Sequence, residues 1–442
     1  MTEIGPVRAR SVSVMGAIVA SQITLWAAFV GVHFWLGLLN LYAPGLPLGD
    51  VTIVYKFWMD QAIIANYWVG IDSSFVYPIV ALVPMLIAYA FGPELYANTW
   101  LSMVMVLNAV AFGFVTDWGR ARGRTAPAWW WLAFLVVLGP IALGRIDSVT
   151  VALAVVGVLL LARAPHVAVA VLAVATWIKV WPAALLGAAV IALRGRLRIV
   201  AVALATSAII MAIAVAIGSG ANLFSFITEQ TGRGLQIEAP ISTGWLWRAA
   251  GGDASTFVYY DQQILTFQVS GPGVEAVAAL MTPVLALAAL AVCFLGIRAV
   301  RAGVQAGDVL APLSLALVST LIAFNKVGSP QFIGWLAVPI VLGLASHAAG
   351  HGRSFRTPAV MVLAVGALTQ VVYPTFYTEL LSLSVPILIV LASRNVLVFV
   401  ILGWSVFALV SRPLGAIDDG APHEVWLPSV WPFARTELST KE

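Results

Sequence analysis

Apolar runs recur along almost the whole chain, near 13–39, 96–116, 128–144, 148–163, 199–217, 273–297, 309–323, 331–346, 358–373 and 386–410. A helix rising 1.5 Å per residue needs roughly 20 apolar residues to cross about 30 Å of hydrocarbon, and these runs predict membrane-spanning helices. The stretch 166–193 is also apolar, but Lys179 and Pro182 interrupt it, which predicts two short helices meeting at the far side. Residues 76–92 contain Pro78 and Pro84 and close on Gly92-Pro93, so they predict an interfacial helix rather than a span. The expected fold is all-α, a polytopic integral membrane protein with about twelve transmembrane helices.

Most connections between runs are a few residues long. Two are not: about 41–95 and about 218–271. The first holds YAPGLPLGDVTIVYKFWMDQAIIANYWVGIDSSF, and the second holds ITEQTGRGLQIEAPISTGWLW. Positioned chemistry concentrates on loops, and Asp50, near the head of the first, is a ready general base. Composition agrees with the pattern: 61% of residues are hydrophobic and 10% charged, where a soluble domain carries roughly 25% charged residues. The first run is too long for a cleaved signal peptide and lacks a small-residue cleavage site. Cys293 is the one cysteine, so neither an intrachain disulfide nor a thiol metal site is expected.

Charge distribution orients the chain. With a cytoplasmic N-terminus, the inner segments carry Arg8, Arg10, Arg120, Arg122, Arg124, Arg163, Arg194, Arg196, Arg198, Arg298, Arg301, Arg353, Arg356, Arg412, Arg435 and Lys441, sixteen of the 23 basic residues. That bias follows the positive-inside rule, and counting 76–92 as a full span would place the basic loops at 120–124 and Arg163 outside. Both ends then face the cytoplasm, with residues 1–411 as the membrane domain and 412–442 as a short polar tail. The remaining cations are Lys56, Arg145, Lys179, Arg233, Arg248, Lys326 and Arg394. All but Arg394 fall in outer loops or at outer helix ends, where Asp50, Asp60, Asp72, Asp147, Glu229, Glu238, Asp253, Asp261 and Glu379 also lie. The polar chemistry is therefore expected at the outer membrane surface. The basic balance reflects topology, and nothing indicates nucleic-acid binding.

Each of these residues has a plainer reading. Asp50 has the place of an N-cap for a helix over 51–66. Asp60 and Asp72 suit solvated or structural roles, Lys179 a snorkelling anchor, and Arg145 with Asp147 a structural pair. Asn325 and Lys326 suit backbone satisfaction at a helix break. Arg394 lies inside an apolar run and calls for an acidic or lipid-phosphate partner, or for a shifted helix boundary. His33 reads as a core histidine, and Trp245 and Trp247 suit either a sugar or the interface.

Five elements recur in order: Asp50; Tyr77-Pro78; Gly144-Arg145-Ile146-Asp147; Ile178-Lys179-Val180-Trp181-Pro182; and Phe324-Asn325-Lys326-Val327-Gly328-Ser329-Pro330-Gln331-Phe332, ending in Trp335. In that order the chain resembles the GT-C glycosyltransferases, which use polyprenyl-phosphate sugars outside the cytoplasm. It looks most like glycosyltransferase family 87, the actinobacterial polyprenol-phosphate-mannose-dependent mannosyltransferases. The FNKVGSPQF string is also similar to the "FNKV…SQYFLW" segment of GPI mannosyltransferase I. The resemblance covers roughly residues 13–410. It departs from the family where members show YPP and this chain has Tyr77-Pro78-Ile79, and where a GQ-x-N-like string is replaced by GRID. Ala-, Val- and Gly-rich spans with an Arg bias suit an actinobacterium or another high-GC bacterium.

The resemblance implies a multi-pass plasma-membrane enzyme whose active site faces away from the cytoplasm. It makes Asp50 the catalytic base and mannose the expected sugar, moved with inversion to a glycolipid or glycan acceptor. Lys179, Lys326 and Arg233 are the candidates for holding the donor phosphate, where fixed cations stabilise developing charge. Tyr77, Arg145, Asp147, Gln236, Glu238, Asn325, Ser329 and Gln331 are the candidates for substrate contact. The short helices flanking Lys179 leave room for a lateral groove taking the prenyl chain. No cofactor is called for, since the donor carries its own leaving group and the chain has no Gly-rich phosphate loop. A divalent metal stays open, because oxygen ligands here have no recognisable spacing. The rival expectation is a secondary transporter or lipid-linked-sugar flippase, with paired repeats and broken helices; a scaffold subunit with a degenerate site is a third.

Overall fold

The computed structural model describes residues 21–120 and 125–411. The basic residues Arg8, Arg10, Arg122, Arg124, Arg412, Arg435 and Lys441, and the tail 412–442, lie outside the described residues. The chain is mostly helical. Among the described residues eight helices are long and apolar enough to cross a membrane: Gln22–Tyr42, Pro93–Val115, Arg196–Ala216, Val274–Arg301, Ala306–Ala323, Pro330–Ala348, Arg356–Thr375 and Val385–Val410. The other apolar helices are shorter, Ile79–Ala88, Ala126–Ala142, Ile146–Leu160, Pro165–Ile178 and Ala183–Ala192. Each apolar run is helical over its described residues, the first of them from Gln22 onward. The break at Lys179 to Pro182 separates two short helices, because the proline cannot extend the intrahelical hydrogen-bond ladder.

Burial sorts these helices. Ala306–Ala323 is mostly buried, packed against Val385–Val410, Val274–Arg301 and Ala183–Ala192. By contrast Arg196–Ala216 and Val274–Arg301 present Leu204, Ile209, Ile213, Leu287, Leu290 and Phe294 outward. Large apolar side chains exposed along whole helices suit lipid rather than water. Hydrophobic burial does not drive helices together in lipid, so polar contacts between them carry weight. One is Asn108 Nδ2 with His33 Nε2 at 3.0 Å, joining Gln22–Tyr42 to Tyr96–Val115; such bonds contribute about 0.6–2 kcal/mol.

The all-α expectation needs one correction. Phe257–Asp261 (β1) and Thr266–Ser270 (β2) form an antiparallel hairpin, with Tyr259 opposite Gln268. Their aromatic and β-branched residues favour a pleated surface, and a connection between spans can place them beside another strand. Residues 235–237 add to it: Ile237 N–H donates to Phe267 O at 3.2 Å and Val269 N–H to Leu235 O at 3.0 Å.

Polar loops gather at the two ends of the bundle. At one end Arg163 meets Asp117 at 2.6 Å and Arg353 donates to Ser411. At the other end the segments 43–78, 143–147, 179–181, 232–239 and 324–335 converge. Gly144 makes that convergence possible. A Cβ there would stand 2.7 Å from Asn40 Oδ1 and 2.9 Å from Pro47 O, so only glycine lets this turn close onto the segment leading to Asp50.

Candidate functional site

Asp50 opens a π-helical turn, Asp50–Tyr55, that runs into helix Lys56–Ile64. Gly49 stands at the N-cap and Asp50 follows it inside the first turn, so the N-cap reading does not apply. Instead Asp50 Oδ2 lies 2.9 Å from Arg145 Nε. Arg145 precedes helix Ile146–Leu160 in extended backbone, and its guanidinium is held on every side. Nη1 donates to Pro47 O at 2.6 Å and Gly144 O at 2.8 Å, and Nη2 donates to the Tyr373 hydroxyl at 2.9 Å. Burial opposes its charge, yet Asp50, Tyr373 and Tyr55 hold it above the ordinary arginine range. The Arg145 side chain is 8% exposed and that of Asp50 is 40%. A fixed cation thus anchors one oxygen of an accessible carboxylate.

Two residues on, Asp147 has a different setting. Lys179 Nζ reaches Asp147 Oδ2 at 2.8 Å, and Trp335 Nε1 donates to Oδ1 at 2.6 Å. Trp335 stacks on Trp181 at 5.4 Å, and Trp181 Nε1 donates to Thr150 Oγ1 at 2.9 Å. The Asp147 side chain is 4% exposed. Lys179 lies over the rings of Phe332, Tyr77 and Trp335 at 5.0, 5.5 and 5.9 Å. The ammonium has three donors, of which Asp147 takes one. Asp147 therefore clasps the broken helix to the Pro330–Leu336 turn.

Tyr77 links the two groups. Its hydroxyl lies 3.4 Å from that of Tyr55, which accepts from Ile146 N–H at 3.4 Å. Burial and then the Asp50 carboxylate push its phenol above the ordinary range, while Arg233 pulls it down. Arg233 is half-buried with no acceptor at Nε, and burial lowers its pKa. Burial, then the charge of Arg233, lowers that of Lys326, so these two cations are neighbours. Gln236 N–H donates to Lys326 O at 3.0 Å, and Gln236 Oε1 is buried without a donor. Buried polar atoms left unpaired cost about 1–3 kcal/mol each, and Arg233 Nε and Gln236 Oε1 are two such atoms at this end of the bundle.

The other candidates divide. Glu238 turns away into a sealed pair with Arg394, Oε2 to Nη1 at 2.6 Å, supported by Asn395. Arg394 thus has its acidic partner, from a segment distant in the chain. Asn325 Oδ1 accepts from Val327 N–H at 2.9 Å and shapes the turn. Ser329 lines a cavity of about 10 Å³ beside Glu238 and Arg394, roughly one water in size. Gln331 is half-buried on the Pro330–Leu336 turn. Gly328 packs on the Glu238–Ala239 backbone so closely that a Cβ would overlap it. Asp60 pairs with Lys56 and accepts from the Tyr89 hydroxyl, and Asp72 accepts from Trp68 N–H.

Sequence reasoning passed over Tyr55, Tyr373 and Tyr377. One signal was present: Tyr373-Pro374, at the end of an apolar run, repeats the Tyr77-Pro78 dipeptide. Among the described residues no three His, Cys, Asp or Glu side chains converge as a metal site. No family model, curated protein or solved structure matches the chain.

Proposed function

We propose that this chain is a GT-C-type membrane glycosyltransferase with about twelve spans. It moves a sugar, mannose in the first instance, from a polyprenyl-phosphate donor to a glycolipid or glycan acceptor at the extracytoplasmic face of the plasma membrane. One observation carries the reading: Asp50 is held by Arg145, and two residues beyond Arg145 in the chain Asp147 holds Lys179, whose ammonium lies over the Tyr77 ring. An accessible carboxylate and a group of cations, drawn from separate loops, thus meet at one end of an apolar bundle.

Asp50 takes the proton of the acceptor hydroxyl, whose oxygen forms a bond to the anomeric carbon from the face opposite the phosphate. The bond from that carbon to the phosphate oxygen breaks, and the polyprenyl phosphate leaves with the electron pair. Arg233 and Lys326 meet the charge on that phosphate. Lys179, already neutralised by Asp147, adds its remaining N–H donors. General-base help of this kind contributes about 10²–10⁴ in rate.

The test is transfer from a lipid-linked sugar by the purified protein and by Asp50→Asn. Wild-type transfer with loss in the variant supports the reading; equal rates in both remove Asp50 as the base. The broken helix at Lys179 is a feature that transporters share, and it favours the transporter or flippase as the second reading. Uptake by proteoliposomes without any transfer would select that alternative.

A further inference from the structure

An aromatic row leads away from the Asp50 turn. Tyr373, the hydroxyl partner of Arg145, has its ring 5.1 Å from Tyr377. Tyr377 meets Phe267 at 6.1 Å, and Phe267 meets Tyr260 at 4.9 Å. Tyr260, on β1, is 46% exposed, and the other three rings are half-buried. The row thus runs from the surface of the hairpin to the ion pair of Asp50 and Arg145.

Polar groups border it. The Asp261 carboxylate, next to Tyr260, accepts from Gln263 N–H at 2.9 Å and Gln268 Nε2 at 2.9 Å. The backbone of Gln268 pairs antiparallel with that of Gln236, whose Oε1 is buried without a donor. Glu238 acts on the Tyr377 phenol, adding to burial in pushing it above the ordinary range. Backbone pairing pins the pieces together, since segment 235–237 bonds to β2 on one side and to Lys326 O on the other.

We propose that this row is a carbohydrate track, on which an oligosaccharide acceptor lays successive sugar rings over Tyr260, Phe267 and Tyr377 and brings its terminal hydroxyl to Asp50. A pyranose has a face of C–H groups and a rim of hydroxyls. Aromatic faces, with their negative quadrupole, attract the first, and carboxylates and amides bind the second. A membrane-interface anchor would place its aromatic tips at the lip of the bilayer; this row instead ends on a buried guanidinium. The inference rests on the transferase reading for where the track leads, though not for what it binds.

The experiment titrates the full-length protein in lipid nanodiscs with soluble linear hexose oligomers of increasing length, read by calorimetry or saturation-transfer NMR. Affinity should tighten from the monosaccharide upward. Tyr260→Ala should weaken the longer oligomers roughly twofold to tenfold and leave the monosaccharide as it was, while Tyr260→Phe should bind like wild type. Affinity independent of length, or wild-type binding by Tyr260→Ala, overturns the track and returns the row to an interfacial anchor. Binding is read here without transfer. Failure of the transferase reading in the Asp50→Asn assay would therefore leave this result standing, and the two failures are told apart.

Discussion

Asp50 and Asp147 each face a cation across less than 3 Å, and Arg145 and Asp147 flank a single residue, yet the two carboxylates sit in opposite circumstances. Asp147 has both oxygens occupied, one by Lys179 and one by Trp335, and is closed to solvent. Asp50 has a single partner and a side chain 40% exposed. The same residue type beside the same kind of charge makes a sealed clasp in one place and an accessible carboxylate in the other. The distinction lies chiefly in access: a carboxylate has about four acceptor sites, so two donors do not exhaust Asp147, but its burial keeps a substrate hydroxyl away while Asp50 stays open.

The sharpest way to break this comparison is to remove each acid in turn. Asp50→Asn should lower transfer by about 10²–10⁴ with little change in unfolding midpoint, because the amide oxygen still accepts from Arg145. Asp147→Ala should act chiefly on stability, by up to about 3–5 kcal/mol, because the part-buried Lys179 ammonium loses its counter-charge. Thermal unfolding in detergent reads the second and a transfer assay the first. An Asp147→Ala protein that melts like wild type but transfers nothing would reverse the two assignments.

A smaller effect is expected at Gly328. Its alanine variant must push the 238–239 backbone aside, at about 1–3 kcal/mol. Because Gln236 and Lys326 are bonded through the same loop, the donor KM should rise as well. A variant with unchanged midpoint and KM would separate this loop from the site.

The smallest effect concerns pH. Burial and Arg233 hold the Lys326 ammonium below the ordinary lysine range, so its charge disappears sooner as pH rises, and donor binding weakens with it. Lys326→Arg keeps its charge and should carry the alkaline rise in donor KM to higher pH. Superimposable KM profiles would take Lys326 out of phosphate binding.

The helices were legible because each apolar run states its own preference: about twenty consecutive hydrophobic residues resolve to helix in lipid whatever else the chain does. The break at Lys179 and Pro182 was equally local. The hairpin at 257–270 was not legible, since a short aromatic strand gains stability only from the strand beside it, and one of its neighbours here, 235–237, comes from a separate stretch of loop. The site was readable as a sequence of motifs in order. It was not readable as a set of partners. Arg394 and Glu238 are 156 positions apart, and neither shows in the sequence which charge it will meet.

By itself, then, the sequence determined that the chain is a helical membrane protein, where its helices begin and break, and which ionisable residues lie between them. Tertiary structure alone decided that Asp147 is sealed and Asp50 open, that Glu238 is consumed by Arg394, and that four aromatic rings line up toward Arg145. The reason is physical. Transfer of a run of side chains into hydrocarbon depends on that run, whereas the state of a charge depends on the desolvation and the donors that other segments bring to it.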